Sequence, residues 1–144
     1  MYKKILIPLD NSSTDQAILE HIRPLVKLTG ASVILVHVAD GFGARLQNEL
    51  NLADSEEMTK DQAYLETVRK ALVAGGFTVK ALLVQGKDPA EGILTVAGQE
   101  GCDLIAMATH GHGFVKDVIL GSVADFLRHH TNIPILMIRA PSPK

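Results

Sequence analysis

Leu104-Ile105-Ala106-Met107 is an unbroken apolar run in the last third of a 144-residue chain, and the fold turns on how it is read. A strand with one wet face alternates apolar and polar residues, whereas a continuous apolar run marks a strand covered on both faces. Three more runs of this kind stand on either side of it: Ile5-Leu6-Ile7, Val33-Ile34-Leu35-Val36 and Ile135-Leu136-Met137-Ile138. A fifth segment, Phe77 to Gln85, is broken by Lys80 and Gln85 and reads as a strand near a sheet edge.

Between these runs the period changes. Tyr64, Val68, Ala71 and Leu72, and then Ala90, Ile93, Leu94 and Ala97, recur three or four residues apart, the spacing of helices with one buried face. Ser12 with Asp15, Asp54 with Glu57, Ser122 with Asp125, and Asp88 with Pro89 and Glu91 supply chemistry suited to helix starts. Gly30, Gly75-Gly76 and Gly101 stand where helices should stop. Pro24 falls inside the first helical stretch, where a missing N–H predicts a kink or an early break. The expected order is strand 3–9, helix 12–28, strand 33–39, helix 55–74, strand 77–85, helix 88–99, strand 103–109, helix 122–130 and strand 134–138. Strict alternation of this kind implies right-handed crossovers and an α/β fold. That fold is a five-stranded parallel sheet, doubly wound and Rossmann-like, with helices on both faces and one domain spanning 1–144. In such sheets ligands bind at the carboxyl ends of the strands, where strand order reverses. The connections 40–54 and 110–121 are long for this architecture and fall at that edge.

Composition narrows the function classes. With 47% hydrophobic and 21% charged residues and a net charge of −2, the chain has the make-up of a compact domain. No segment reaches the ~18 apolar residues of a membrane helix, and the opening MYKKILIPLD reads as a strand without a cleavage site, so a cytoplasmic protein is expected. The single cysteine, Cys102, excludes an intramolecular disulfide. A pI near 6.3 without Lys/Arg runs makes nucleic acid an unsuitable partner.

The segment richest in chemistry is Ala108-Thr109-His110-Gly111, followed by nine residues and then Gly121-Ser122. Gly111 and Gly121 allow close backbone approach, Ser122 offers a hydroxyl, and the free N–H groups of a first helical turn carry partial positive charge. These residues suit a polyphosphate. They equally suit a capped helix behind a shaped surface loop.

Here the chain resembles the universal stress protein family, whose ATP-binding branch carries Gly-x2-Gly-x9-Gly-Ser/Thr between the fourth strand and the last helix. The spacing matches, with Ala108 in place of the first glycine. The opening Ile5-Leu6-Ile7-Pro8-Leu9-Asp10-Asn11-Ser12, the pair His37-Val38, and the closing Gly121-Ser122-Val123-Ala124 and Ile133-Pro134-Ile135-Leu136 extend the resemblance over nearly the whole chain. It implies an adenine nucleotide alpha hydrolase-like fold, ATP with Mg²⁺ as ligand, and a regulatory homodimer in the stress response. Adenine would lie against Pro8, Leu9, Asp10 and the backbone of Val38. Met107 and Ala108 would adjoin the ribose, while Gly111, Gly121, Ser122 and Val123 hold the phosphates. Asp10 has two roles open to it, a cap on the following helix or a contact to the nucleotide or to water on its magnesium. Lys116 can offset phosphate charge or simply face solvent. Dimerisation is expected through the apolar last strand, Pro134 to Ile138, an edge that can template a second chain. An unidentified protein partner would read the nucleotide state.

Other nucleotide folds fail on their own chemistry. No Gly-x4-Gly-Lys-Ser/Thr loop is present, and Gly41-Phe42-Gly43 lacks its third glycine, with Leu46 at that position. Gln85 and Gly86 stand where a phosphoacceptor receiver needs an aspartate. No nucleophile has an evident base partner, so any ATP hydrolysis should be slow. His110 with His112 makes a His-x-His pair without a third ligand, and His129 with His130 suits the negative end of a helix. A nucleotide-independent dimeric interaction module is the alternative function.

Overall fold

The computed structural model describes residues 1–40, 52–86, 88–109 and 115–140. Five strands and four helices alternate along it. They are β1 (Lys4–Pro8), α1 (Thr14–Thr29), β2 (Ser32–Asp40), α2 (Leu52–Ala74), β3 (Val79–Gly86), α3 (Pro89–Glu100), β4 (Leu104–Thr109), α4 (Val115–His130) and β5 (Ile135–Arg139). The strands form one parallel sheet in the order β3-β2-β1-β4-β5, so the order reverses at β1 and the chain crosses to β4. The interrupted segment ending at Gln85 supplies an edge strand, as its pattern predicts, and β5 is the other edge.

Continuous apolar strands require two cores, and two are present. Ile5, Ile7 and Leu35 point toward α1 and α2, packing with Ile18, Ile22, Val26, Leu65 and Leu72. Leu6, Ile34, Val36 and Ile105 point the other way, into a cluster with Ile93, Val96, Val123 and Leu127 of α3 and α4. Alternate residues of each strand thus serve opposite layers. The starts of β1 and β4 are tied by one carboxylate. Asp103 accepts from the Lys3 amide at 3.1 and 2.9 Å and from the Lys4 amide at 3.0 Å. Its own amide donates to the Lys4 carbonyl.

Gly30 and Gly101 end α1 and α3 in the left-handed region, at φ 70° and 68°, where a Cβ is disfavoured. Asp88 caps α3 by accepting from the Ala90 amide at 3.0 Å, with Pro89 in the first turn.

The helix starts bring corrections. Pro24 neither breaks nor shortens α1, which runs to Thr29. Buried Ile18, Ile22 and Val26 anchor the helix on both sides of it, while Pro24 and Glu20, whose carbonyl loses its donor, stand on the exposed side within reach of water. Ser12 is not the residue before α1; Ser13 is, and its side chain makes no capping bond. The Ser12 hydroxyl still accepts the Thr14 amide at 3.3 Å. Helix α2 begins at Leu52, which puts Asp54 inside its first turn.

The largest correction concerns α4. It starts at Val115, seven residues before the expected start at 122, so Gly121 and Ser122 lie in its interior. Val115, Val118, Ile119 and Val123 recur at helical spacing, and this pattern carries the helix through Gly121 at a local cost of ~1 kcal/mol. Asp125 accepts from Arg128 Nη2 at 2.9 Å, and its expected pairing with Ser122 involves a side chain outside those described. Gly111, the His110/His112 pair and Gly41-Phe42-Gly43 lie outside the described residues.

Candidate functional site

The pairing register shows where the sheet opens. Strand β1 pairs with β2 from Lys4↔Ser32 to Pro8↔Val36, but with β4 only at Ile5↔Leu104 and Leu6↔Ile105. Beyond Leu6 the two middle strands separate, and a cavity of about 300 Å³ occupies the gap at their carboxyl ends. Its walls include Pro8 at the end of β1, Leu9 and Asp10 just after it, Val38 on β2, Met107 and Ala108 on β4, and Val123 on α4. Ile18 from α1 and Pro89 and Ile93 from α3 complete the apolar lining, while Asn11, Ser12, Thr14 and Asp15 form a polar end. Seven of the ten residues expected at a nucleotide site therefore share one cavity. Of the other three, Gly111 lies outside the described residues, and Gly121 and Ser122 are placed only as part of the α4 backbone.

Strand geometry decides which backbone groups face this gap. In a parallel sheet the N–H and C=O of one residue point to the same side, and successive residues alternate. The Val36 carbonyl accepts from the Leu9 amide, so Val36 faces β1, and Val38 must face the same way, past the point where β1 has ended. On the opposite wall the Ile105 amide donates to the Pro134 carbonyl and the Thr109 carbonyl accepts from Ala140, so these residues face β5. Ala108 then faces the cavity. Alanine sits there without strain, because among the described residues Asn11, at φ 61°, is the one non-glycine with positive φ.

The polar end is a built turn. The Asp10 carboxylate accepts from the Ser12 amide at 3.0 Å and from the Ser12 hydroxyl, closing a turn onto α1. These bonds shape the turn before α1 and do not cap the helix itself, which starts at Thr14. Asp15, 4% exposed, reaches back and accepts from the amides of Asp10 at 3.1 Å and Asn11 at 2.8 Å. It also takes the Tyr64 hydroxyl of α2 at 2.6 Å. Burial raises the Asp15 carboxyl to about 6; the Tyr64 and Asp10 hydrogen bonds pull it down, and the Asp10 charge adds to the rise. The same burial, with Asp15 opposite, raises the Tyr64 hydroxyl above its ordinary value. From β2, His37 Nδ1 donates to the Leu9 carbonyl at 2.8 Å, and its Nε2 lies 3.1 Å from Asp61 Oδ2 on α2.

The model of the universal stress protein family matches residues 1–139. The chain belongs to the universal stress protein family. Universal stress protein MJ0577 of Methanocaldococcus jannaschii is 31% identical over 96% of this chain and 96% of its own length. A solved structure of MJ0577 superposes with a TM-score of 0.84 at 34% identity, covering 99% of each chain. A universal stress protein of Archaeoglobus fulgidus, solved in complex with dAMP, shares the fold at a TM-score of 0.69 and 18% identity, over 94% of this chain and 97% of that one.

The universal stress protein fold gives the cavity its place, yet the residues that hold its polar end escape sequence reading. Asp15 reads there as a partner of Ser12 and Tyr64 as part of an apolar stripe. One signal was available: Asp10-Asn11-Ser12-Ser13-Thr14-Asp15 is a run of short polar residues directly after an apolar strand. His129 and His130 do what their position suggests, bonding back to the Asp125 and Phe126 carbonyls at 2.9 and 2.7 Å. Among the described residues no group of three His, Cys, Asp or Glu is placed to hold a metal ion, and no helix is long and apolar enough to cross a membrane.

Proposed function

We propose that this universal stress protein binds ATP in the cavity between β1 and β4. One observation carries the reading: an apolar slot at the point of strand reversal, flanked by the backbone of Val38 and Ala108, suits a flat base with hydrogen-bonding edges. Adenine lies against Pro8, Leu9 and Asp10 with the Val38 backbone reading its edge, and Met107 and Ala108 adjoin the ribose. The phosphates run toward Val123, with Gly111, Gly121 and Ser122 as their holders, and Mg²⁺ would supply the positive charge that offsets them. The dAMP complex of the Archaeoglobus fulgidus relative supports adenine as the base. With no positioned base or nucleophile proposed, hydrolysis is slow at most.

The helix boundary adds a requirement. Amides six and seven residues inside a helix already donate to carbonyls four residues earlier. For the Gly121 and Ser122 amides to hold phosphate, the first turns of α4 must give up their helical bonds, whereas the Ser122 hydroxyl is under no such requirement. That same helix is the observation favouring the second reading, a nucleotide-independent interaction module. In either case the active form is a homodimer joined through β5, acting in the cytoplasmic stress response on a protein partner.

Calorimetric titration with ATP and Mg²⁺ tests the first reading, with saturable heat in the micromolar range expected. No saturation at millimolar ATP, together with no adenine nucleotide released by heat denaturation, would overturn it in favour of the module.

A further inference from the structure

Both ends of the Leu9–Asp10 peptide are held. In a trans peptide the C=O and N–H point in opposite directions. Here the Leu9 carbonyl takes the His37 Nδ1 bond at 2.8 Å while the Asp10 amide meets Asp15 Oδ1 at 3.1 Å. The next amide, Asn11, meets Asp15 Oδ2 at 2.8 Å, and its residue is fixed at φ 61°. A left-handed non-glycine persists where its surroundings over-determine it. One buried carboxylate therefore sets two successive peptide planes at the polar end of the cavity.

We propose that Asp15 is a positioning residue for the nucleotide, acting through the Leu9-Asp10-Asn11 backbone, and that ligand affinity follows the ionisation of its carboxylate. This rests on the reading of the cavity as a nucleotide site. As a carboxylate, Asp15 accepts three hydrogen bonds, and charge assistance makes each roughly twice as strong as its neutral counterpart. Once protonated, Asp15 loses that charge assistance and its new O–H is accommodated only if the Tyr64 hydroxyl turns from donor to acceptor, so the grip on the turn slackens.

The titratable groups around it come from every neighbouring element. Asp10 stands in the turn itself, Tyr64 bonds Asp15 directly from α2, and Asp61 lies on the same helix against Asn11 Nδ2 at 3.5 Å. His37 approaches from β2 and pairs with Asp61. Burial has already brought Asp15 to about 6, inside the range a cell can reach. Because the Tyr64 hydrogen bond pulls Asp15 down, removing the hydroxyl must move the transition to higher pH.

The experiment follows adenosine binding to the intact protein from pH 5.0 to 7.5, since a phosphate-free ligand does not titrate near 6 as a phosphate does. Affinity should fall by about threefold to tenfold toward pH 5.0, matching the loss of roughly one hydrogen bond. Asp15→Asn should bind weakly at all pH values with the slope abolished. Tyr64→Phe should keep the slope but shift its midpoint upward. Amide resonances of Asp10 and Asn11 in the unliganded protein should move with the same midpoint, and should not move in Asp15→Asn. A flat adenosine profile in the wild type, or a slope surviving in Asp15→Asn, would overturn the inference while leaving nucleotide binding intact. Failure of ATP and adenosine alike to bind the wild type at pH 7.5 would remove the nucleotide reading and the inference together. If the variants do not fold, the wild-type amide titration decides: no movement between pH 5.0 and 7.5 overturns the positioning role.

Discussion

Val38 rests directly on Gly92. A Cβ at position 92 would stand 2.9 Å from Val38 Cγ2 and 3.1 Å from Cγ1, closer than carbon atoms pack. Val38 lines the cavity, so the absence of a side chain on α3 sets how far this wall stands back. Valine is stiff about χ1 and cannot swing aside freely. Gly92→Ala should therefore push Val38 toward the cavity and weaken ATP binding by about tenfold. Overpacking costs ~1–3 kcal/mol, against a helical gain of up to ~1 kcal/mol. Paired calorimetry and thermal melts check this, and unchanged affinity would show that the wall is not in contact with ligand.

Asp103 offers a stability test with a defined pH sign. Burial works to raise its carboxyl, but the Lys3 and Lys4 amides outweigh that and hold it below the ordinary carboxylate value. A depressed carboxylate stabilises the fold fully above its unfolded pKa, and that stabilisation is lost as pH falls through the folded value. Asp103→Asn should cost on the order of 1 kcal/mol at pH 7, and the gap to the wild type should close below about pH 4. Urea unfolding at pH 7 and pH 3 measures both.

Cys102 is buried and free, and burial pushes its thiol up to about 11. Thiolate, the reactive form, is then scarce at neutral pH. A thiol reagent at pH 8 should leave the native protein unlabelled for hours and modify Cys102 only as urea unfolds it. Rapid native labelling would mean that the strand start opens locally.

Met137 is 45% exposed on β5, an edge strand whose backbone can pair with another chain. A two-fold interface uses the same patch on both chains, so Met137→Glu introduces two charges into it at once. Light scattering at micromolar concentration should give a dimer for the wild type and monomers or aggregates for the variant. A monomeric wild type would dispose of the proposed dimer.

Sequence and structure agree where the signal is local. Ile5-Leu6-Ile7 or Val33 to Val36 cannot satisfy their apolar faces except inside a sheet covered on both sides, and Asp88-Pro89 can do little but start a helix. What escaped were contacts between distant residues. Nothing within a few positions of Tyr64 says that its hydroxyl meets Asp15, or that His37 turns its ring toward Leu9. At Gly121 two local signals compete, a glycine-serine pair that looks like a start and an apolar period that begins at Val115. The period prevails in the fold.

The two-rung pairing of β1 with β4 also constrains how the molecule comes into being. Ile5 and Leu6 pair with Val33 and Ile34 of β2, which stand 28 residues on, and with Leu104 and Ile105 of β4, which stand 99 residues on. Such distant pairings are slow to form, since a long stretch must be brought back before it is rewarded. A small molecule lodged between β1 and β4 stabilises only the state in which both strands are in place.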